Sequence, residues 1–118
     1  VHALNLKETM DKIDTSNTLV IAVDASIGSI EHIGYIGLCN EPIKPGSGVG
    51  KDLPPVGDIS VSGIVAFGGF APYMVLQNTS LGLVYKMAEI TSNAIKYVLY
   101  KQQLEPQRNS KLSAFAAV

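Results

Sequence analysis

The most conspicuous chemical motif of this sequence is the glycine-rich segment GSGVGK, residues 46–51. Such a segment binds phosphate when it has the form G-x-x-x-x-G-K-[ST] and joins a strand to a helix N-terminus. Here Pro45 replaces the first glycine, and Asp52 stands where a hydroxyl group is needed for magnesium. Pro54 and Pro55 also prevent a helix from starting at the lysine. The pattern therefore argues against a nucleotide site, and we expect no binding of ATP.

Asp24 has the clearest position for catalysis, because it follows the apolar run TLVIAV, residues 18–23. A continuous β-branched run of this kind predicts a strand that is buried on both faces, and ligand sites of α/β sheets form beyond the carboxyl ends of such strands. Hydrolysis by carboxylates needs two groups, one ionised to take a proton from water and one protonated to polarise the carbonyl. On the residues alone, the alternative that Asp24 only ties down the turn at residues 26–28 is more common.

Other reactive residues show no pattern typical of a metal or cofactor site. His2 and His32 are thirty residues apart without a ligand motif, and we expect His32 to be exposed. Cys39 is the single cysteine, so it cannot form an internal disulfide, and we expect it to be a small, half-buried apolar residue. These residues predict no cofactor and no metal centre of their own.

Composition narrows the class of protein. The chain has 118 residues, a net charge of −1 and 47% hydrophobic residues, which fits one domain with its own core. Without a basic face it is not expected to bind nucleic acid, and without an apolar run of about 18 residues it is not expected to span a membrane. A lone cysteine fits a reducing compartment. The sequence thus predicts a soluble, cytoplasmic protein.

The periodicity of apolar residues predicts alternating helices and strands, which indicates an α/β layered domain. The expected elements are a helix at 5–14, strands at 18–24, 34–38 and 59–67, a short helix at 72–77, and a long helix at 81–103 capped by Asn78, Thr79 or Ser80. We assign residues 1–104 to this domain and residues 105–118 to a polar, flexible tail without regular structure.

Four segments carry a resemblance to a known family: VHALNL, IAVDASIG, IKPGSGVGKDLPPVGDISVSGIV and YMVLQNTSLGLVYKMAE. They resemble the YyaC-type sporulation proteins of spore-forming Firmicutes over about residues 1–103. Asp24-Ala25 and the later PGSGVG, residues 45–50, are more distantly similar to two features of the germination spore protease. Both families are related to the hydrogenase maturation proteases. The resemblance therefore implies a three-layer α/β/α sandwich with a mixed, largely parallel sheet, of which this chain is the C-terminal part.

The same resemblance implies roles for particular residues. It makes Asp24 one of two catalytic aspartates, and it places the second in a segment upstream of Val1, a strand followed by a Gly-Asp-x-x-Gly-Pro-type turn. Asp58 is a weak substitute, since it precedes a strand instead of following one. In hydrogenase maturation proteases the position that matches Asp24 helps to bind a metal, so a metal-dependent peptidase is a further alternative.

The cleft beside Asp24 is expected to bind a peptide or protein substrate. The glycine loop could receive the peptide main chain or could simply make a turn, and the sequence favours neither. We therefore expect a sporulation-associated peptidase, with a non-catalytic binding or structural protein as the main alternative. The residues expected around Asp24 are Ser26, Ser47, Gly48, Gly68, Gly69, Gln77 and Asn78.

Overall fold

The computed structural model describes residues 5–47, 50, 52–68, 79–104 and 114–117 of the chain. The elements in these ranges are α1 (Leu6–Asp11), β1 (Val20–Gly28), a short 3₁₀ turn (Ile30–His32), β2 (Ile36–Cys39), β3 (Ile59–Phe67), α2 (Leu81–Leu104) and β4 (Ala114–Ala117). The predicted short helix at residues 72–77 lies outside the described residues.

The strands form one mixed sheet in the order β2-β3-β1-β4. β1 runs parallel to β3, from the pair Ile21 and Ile59 to the pair Gly28 and Phe67. β2 is antiparallel to β3 on one side, and β4 is parallel to β1 on the other. The α/β class and the mixed sheet are thus confirmed, and β1 is an interior strand of that sheet.

β1 is longer than the sequence predicts. We expected it to end at Asp24, and this was wrong, because Ala25 to Gly28 continue to pair with β3. A register shift between Ser26 and Ile27 marks a β-bulge in this continuation. Asp24 therefore lies in the middle of a nine-residue strand and not at its carboxyl end. β3 has the predicted bounds.

Near the end of α1 and at the start of α2, side-chain oxygens accept hydrogen bonds from backbone N–H groups. α1 is shorter than the predicted range 5–14; soon after its end the Asp14 carboxylate accepts hydrogen bonds from the backbone N–H and the hydroxyl of Ser16. At the start of α2, the N–H of Leu83 donates to Ser80 Oγ at 3.4 Å. Of the three candidate caps, Ser80 makes this bond.

Two apolar clusters lie on opposite faces of the sheet. Leu6 of α1 packs with Ala22 and Val56, whereas Met87 of α2 packs with Val65 and Ala66. Ala22 pairs with Ser60, and Gly63 lies three residues further along β3, so alternation puts it on the other face. A Cβ at Gly63 would lie 3.0 Å from Met87 Cε, which shows that α2 covers that face.

The C-terminal residues differ from the prediction. Residues 105–118 were expected to have no regular structure, but Ala114–Ala117 forms a strand that pairs with Val20 to Val23. Four residues suffice here because the edge of an existing sheet supplies the hydrogen-bond partners. Residues 105–113 lie outside the described ranges.

Candidate functional site

Asp24 projects from the middle of β1, on the same face as Ala22 and next to Ser62 of β3 in the parallel register. Its side chain is half-buried. Burial raises the pKa of the Asp24 carboxyl, and a hydrogen bond from the backbone of Ala25 opposes that rise. Desolvation favours the neutral form of a carboxylic acid. Asp24 is therefore suited to holding a proton at a pH where exposed aspartates have lost theirs.

Two hydroxyl groups accompany Asp24 on this face. Ser26 Oγ and Ser62 Oγ lie 2.7 Å apart and share a hydrogen bond, and Ser26 Oγ also donates to the carbonyl of Gly63 at 3.4 Å. Ser26 follows Asp24 by two residues along β1, and Ser62 of β3 is the register partner of Asp24. Strand alternation therefore puts all three side chains on one face of the sheet. We call Asp24, Ser26 and Ser62 the polar strip.

Ser26 was predicted as a site residue, whereas Ser62 was missed. The signal that could have revealed it is the alternation in ISVSGIV, where Ser60 and Ser62 occupy one face of the predicted strand. Ser60 is buried beside Ala22, and Ser62 is only partly buried. Knowing that β3 pairs in parallel with β1 was also necessary, and the sequence alone did not show this register.

Asp58 lies at the other end of the strands. Its carboxylate Oδ2 accepts from the N–H of Val20 at 2.8 Å, and its own N–H donates to the carbonyl of Val20 at 2.8 Å. Asp24 is four residues further along β1, which corresponds to roughly 13 Å in an extended strand. Asp58 joins the beginnings of β1 and β3, and it is too far away to share a proton with Asp24.

The glycine-rich loop is anchored on the face that carries Asp24. Ile43 and Val56 close it through two backbone hydrogen bonds of 2.9 and 2.8 Å. Gly57 has a φ of +92°, and a Cβ there would lie 2.8 Å from Ala22 Cβ. The loop thus touches β1 two residues before Asp24.

Within this loop the described glycines make turns. Gly46 and Gly50 have φ values of +73° and +71°, which residues with a Cβ rarely adopt. Ser47 is exposed, and its N–H donates to the carbonyl of Lys44 at 3.4 Å. A turn explains these two glycines. A role for the loop in receiving a peptide stays a prediction, and Gly48 lies outside the described residues.

Gly68 marks the far end of the same strands. Its N–H donates to the carbonyl of Gly28 at 2.9 Å. Gly28 is the last residue of β1 and is four residues beyond Asp24, so Gly68 lies at the C-terminal ends of the parallel strands. Gly69, Gln77 and Asn78 lie outside the described ranges. Of the predicted site residues, the structure places Ser26 on the face of Asp24 and Gly68 further along the sheet.

His32 and Cys39 lie on the surface, and His2 lies outside the described residues. His32 is exposed, as predicted, and its Nδ1 lies 2.8 Å from Ser29 Oγ. Cys39 is exposed on β2, so its predicted half-buried position was wrong, because β2 is an edge strand that described residues cover poorly. Across the described parts of the chain, no three His, Cys, Asp or Glu side chains come together as a possible metal site.

These observations define the class of protein. It is an α/β domain that carries a half-buried carboxylate and two hydroxyl groups on its two interior strands. The chain belongs to the family described as "Protein of unknown function (DUF1256)", whose model matches residues 1–94. It is 45% identical over 97 residues to "Uncharacterized protein YyaC" of Bacillus subtilis (strain 168). The matched part is 80% of this chain but 47% of that relative, so the chain spans about half the relative's length. No solved structure matches the chain.

In the ranges that the structure describes, no helix combines the length and the apolar character that a membrane span requires.

Proposed function

We propose that this chain carries one half of a carboxylate-dependent peptidase site in a sporulation-associated protein. The observation that supports the proposal best is the half-buried carboxyl of Asp24, whose pKa burial raises. Perturbed carboxyls that face hydrogen-bonding groups are more frequent at catalytic sites than elsewhere. The relation to spore and maturation proteases, and the three-layer fold that it implies, belong to this proposal, as does a place in the mother cell or forespore.

In this mechanism Asp24 is the group that holds the proton. A protonated carboxyl can donate to the carbonyl oxygen of a peptide and polarise it, while a second, ionised carboxylate takes a proton from the attacking water. The hydroxyls of Ser26 and Ser62 can each donate and accept. They are thus suited to orienting the water or the carbonyl beside Asp24.

The second carboxylate has to come from outside the polar strip. Asp58 is held by Val20 at the other end of the strands, so it does not serve. We propose that the second group lies in polypeptide beyond these 118 residues, as the family resemblance implies. The catalytic unit of this proposal is therefore a longer protein.

The test is a peptidase assay on the polypeptide encoded by the complete reading frame, with Asp24→Asn and Asp58→Asn compared. Asp24→Asn should abolish cleavage because an amide cannot give up a proton to the carbonyl. Asp58→Asn keeps an acceptor oxygen for Val20 and should retain cleavage. A chelator arm separates a metal-dependent peptidase from one that uses carboxyl groups alone. Full activity in the Asp24→Asn protein would contradict the proposal.

A second function, peptide binding without catalysis, is favoured by the engagement of Asp58 in a structural role. The polar strip then recognises a ligand and transfers no proton to it. In that case the complete polypeptide should bind peptides and cleave none, and Asp24→Asn should alter affinity alone. Peptide-array binding followed by mass spectrometry of the bound peptides distinguishes the two functions.

A further inference from the structure

A second surface, on the opposite face of the sheet from the polar strip, is an apolar groove between the sheet and residues 90–99 of α2. Its volume is about 400 Å³. The described residues that line it are apolar except for Thr91. The walls come from four elements, β1, β2, β3 and α2, represented by Ile21, Ile36, Leu38, Ile59, Ile90 and Val98. We call this surface the β2–α2 groove.

Several large apolar side chains along the groove are far more exposed than Leu, Ile and Val side chains in a protein core. Leu38 is 73% exposed, Val98 52% and Ile90 51%. Contiguous apolar surface of this kind marks an interaction site in soluble proteins. By contrast, Met87, one turn before Ile90 on α2, is 6% exposed, so α2 packs closely on the sheet only near its beginning.

One wall of the groove is also an open edge of the sheet. β2 comes first in the strand order, and in the described part of the chain it pairs with β3 alone. All four of its residues are exposed. An uncovered edge presents unpaired N–H and C=O groups that can bind another strand. Its outward-facing groups and the apolar groove beside it can be covered together by one extended segment.

The family comparison supplies an argument about what covers this surface. Eight of the eleven residues that line the groove lie within the residues that match the family model, 1–94. The longer relative matches 80% of this chain, whereas 53% of its own length (100 minus 47) lies outside the matched part. A larger domain buries a greater fraction of its surface. That additional polypeptide has to pack against the shared part for the two to form one core.

We infer that the β2–α2 groove is covered by polypeptide of the same longer chain, with one segment pairing along the free edge of β2. The segment has to be extended, with apolar side chains at alternate positions, because a strand added to β2 presents every second side chain to the groove. This inference does not depend on the proposed peptidase function, because the polar strip and the groove are on different faces of the sheet.

The test compares hydrogen exchange of β2 in the 118-residue chain and in the polypeptide encoded by the complete reading frame. In the longer polypeptide, β2 amides should exchange at least about tenfold more slowly, since additional strand pairing protects them. Light scattering on the same samples gives the molecular mass. Slow exchange in a monomer supports the inference.

Two matched variants localise the effect. Leu38→Lys places a charge in the groove, and in the longer polypeptide it should remove the protection of β2 and increase the fluorescence of a bound apolar dye. Leu81→Lys changes a side chain that is 81% exposed and does not line the groove, and it should change neither reading. If Leu38→Lys does not fold, Leu38→Ala should show the same direction with a smaller loss.

Three results would overturn the inference. The first is unchanged fast exchange of β2 in the longer polypeptide. The second is protection that develops only with a doubled mass, which would assign the groove to a second copy of the chain. The third is a reading frame that encodes nothing beyond these residues.

Discussion

At the scale of single residues, Asp24 combines a position on the central strand with a carboxyl whose pKa burial raises. The sequence singled out this residue as the candidate because it expected a strand to end there, and the structure has no strand end at that position. A catalytic role for Asp24 stays a prediction. Its neighbours on the sheet face, Ser26 and Ser62, are defined by the register of β1 and β3. Such neighbours depend on long-range pairing, which a local pattern does not reveal.

The raised pKa of Asp24 predicts how stability changes with pH. The folded state binds the Asp24 proton more tightly than the unfolded chain, in which the carboxyl has its ordinary pKa of 3.8. The free energy of unfolding therefore decreases as pH rises above 3.8. The contribution of Asp24 to stability should therefore be fully present below the ordinary pKa and should be lost as pH rises through the raised one. Asp24→Asn should remove this fall and melt at an equal or higher temperature at neutral pH.

Thermal melts between acid and neutral pH check this prediction. Asp24→Glu keeps an ionisable carboxyl at the site and should keep the fall in stability. The alternative role of Asp24 was to tie down a turn at residues 26–28, and the structure has strand there instead. If Asp24 stabilises that strand through hydrogen bonds, Asp24→Asn would instead lower the free energy of unfolding by roughly 1–3 kcal/mol.

Gly57 supports a second prediction at this scale. Its φ of +92° and the 2.8 Å approach of a built Cβ to Ala22 leave no room for a side chain. Gly57→Ala should lower the free energy of unfolding by at least about 3 kcal/mol through backbone strain and overpacking together. Gly50→Ala is the matched control, since Gly50 also has a positive φ but nothing within 4 Å of its built Cβ. It should cost about 1–2 kcal/mol from the backbone alone. Equal losses in urea denaturation would contradict the argument.

At the scale of elements, the sequence predicted which helices and strands exist better than it predicted their lengths. β3 and α2 have long apolar patterns and were placed within a residue of their observed bounds. β1 was ended too early because Asp24 interrupts the apolar run, although backbone pairing with β3 carries the strand on to Gly28. The strand β4 was missed because it depends on an edge provided by residues far away in the chain.

Asp58 allows the pairing of β1 with β3 to be tested separately from catalysis. Val20 is buried, and its N–H has the Asp58 carboxylate as acceptor. Asp58→Ala leaves that donor without its partner and should lower the free energy of unfolding by roughly 1–3 kcal/mol. Asp58→Asn retains an acceptor oxygen and should lose less. A urea titration of the two variants gives the comparison, and equal stability of Asp58→Ala and the unsubstituted chain would show that the bond contributes nothing.

At the scale of the whole molecule, the sequence predicted one α/β domain but not how unevenly it is packed. The buried clusters around Ala22 and Met87 lie on opposite faces of the sheet. Between α2 and β2, in contrast, large apolar side chains remain exposed. Amphipathic periodicity shows which face of a helix is apolar and does not show what covers it. Our inference that polypeptide beyond this chain covers the groove would account for this exposure, and the half-length match to the relative is the observation that supports it.

This uneven packing predicts different costs for two similar truncations on α2. Met87 is 6% exposed and packs against Val65 and Ala66, so Met87→Ala in the 118-residue chain should lower the free energy of unfolding by about 2–4 kcal/mol. Ile90 is 51% exposed on the wall of the groove, and Ile90→Ala should cost less than about 1 kcal/mol there. In the polypeptide encoded by the complete reading frame, a covered groove should raise the cost at Ile90 to about 2 kcal/mol or more, while the cost at Met87 stays the same.

Urea denaturation of both variants, in the 118-residue chain and in the longer polypeptide, measures all four free-energy changes. An Ile90→Ala cost that does not change with length would mean that the groove stays open to solvent in the longer protein.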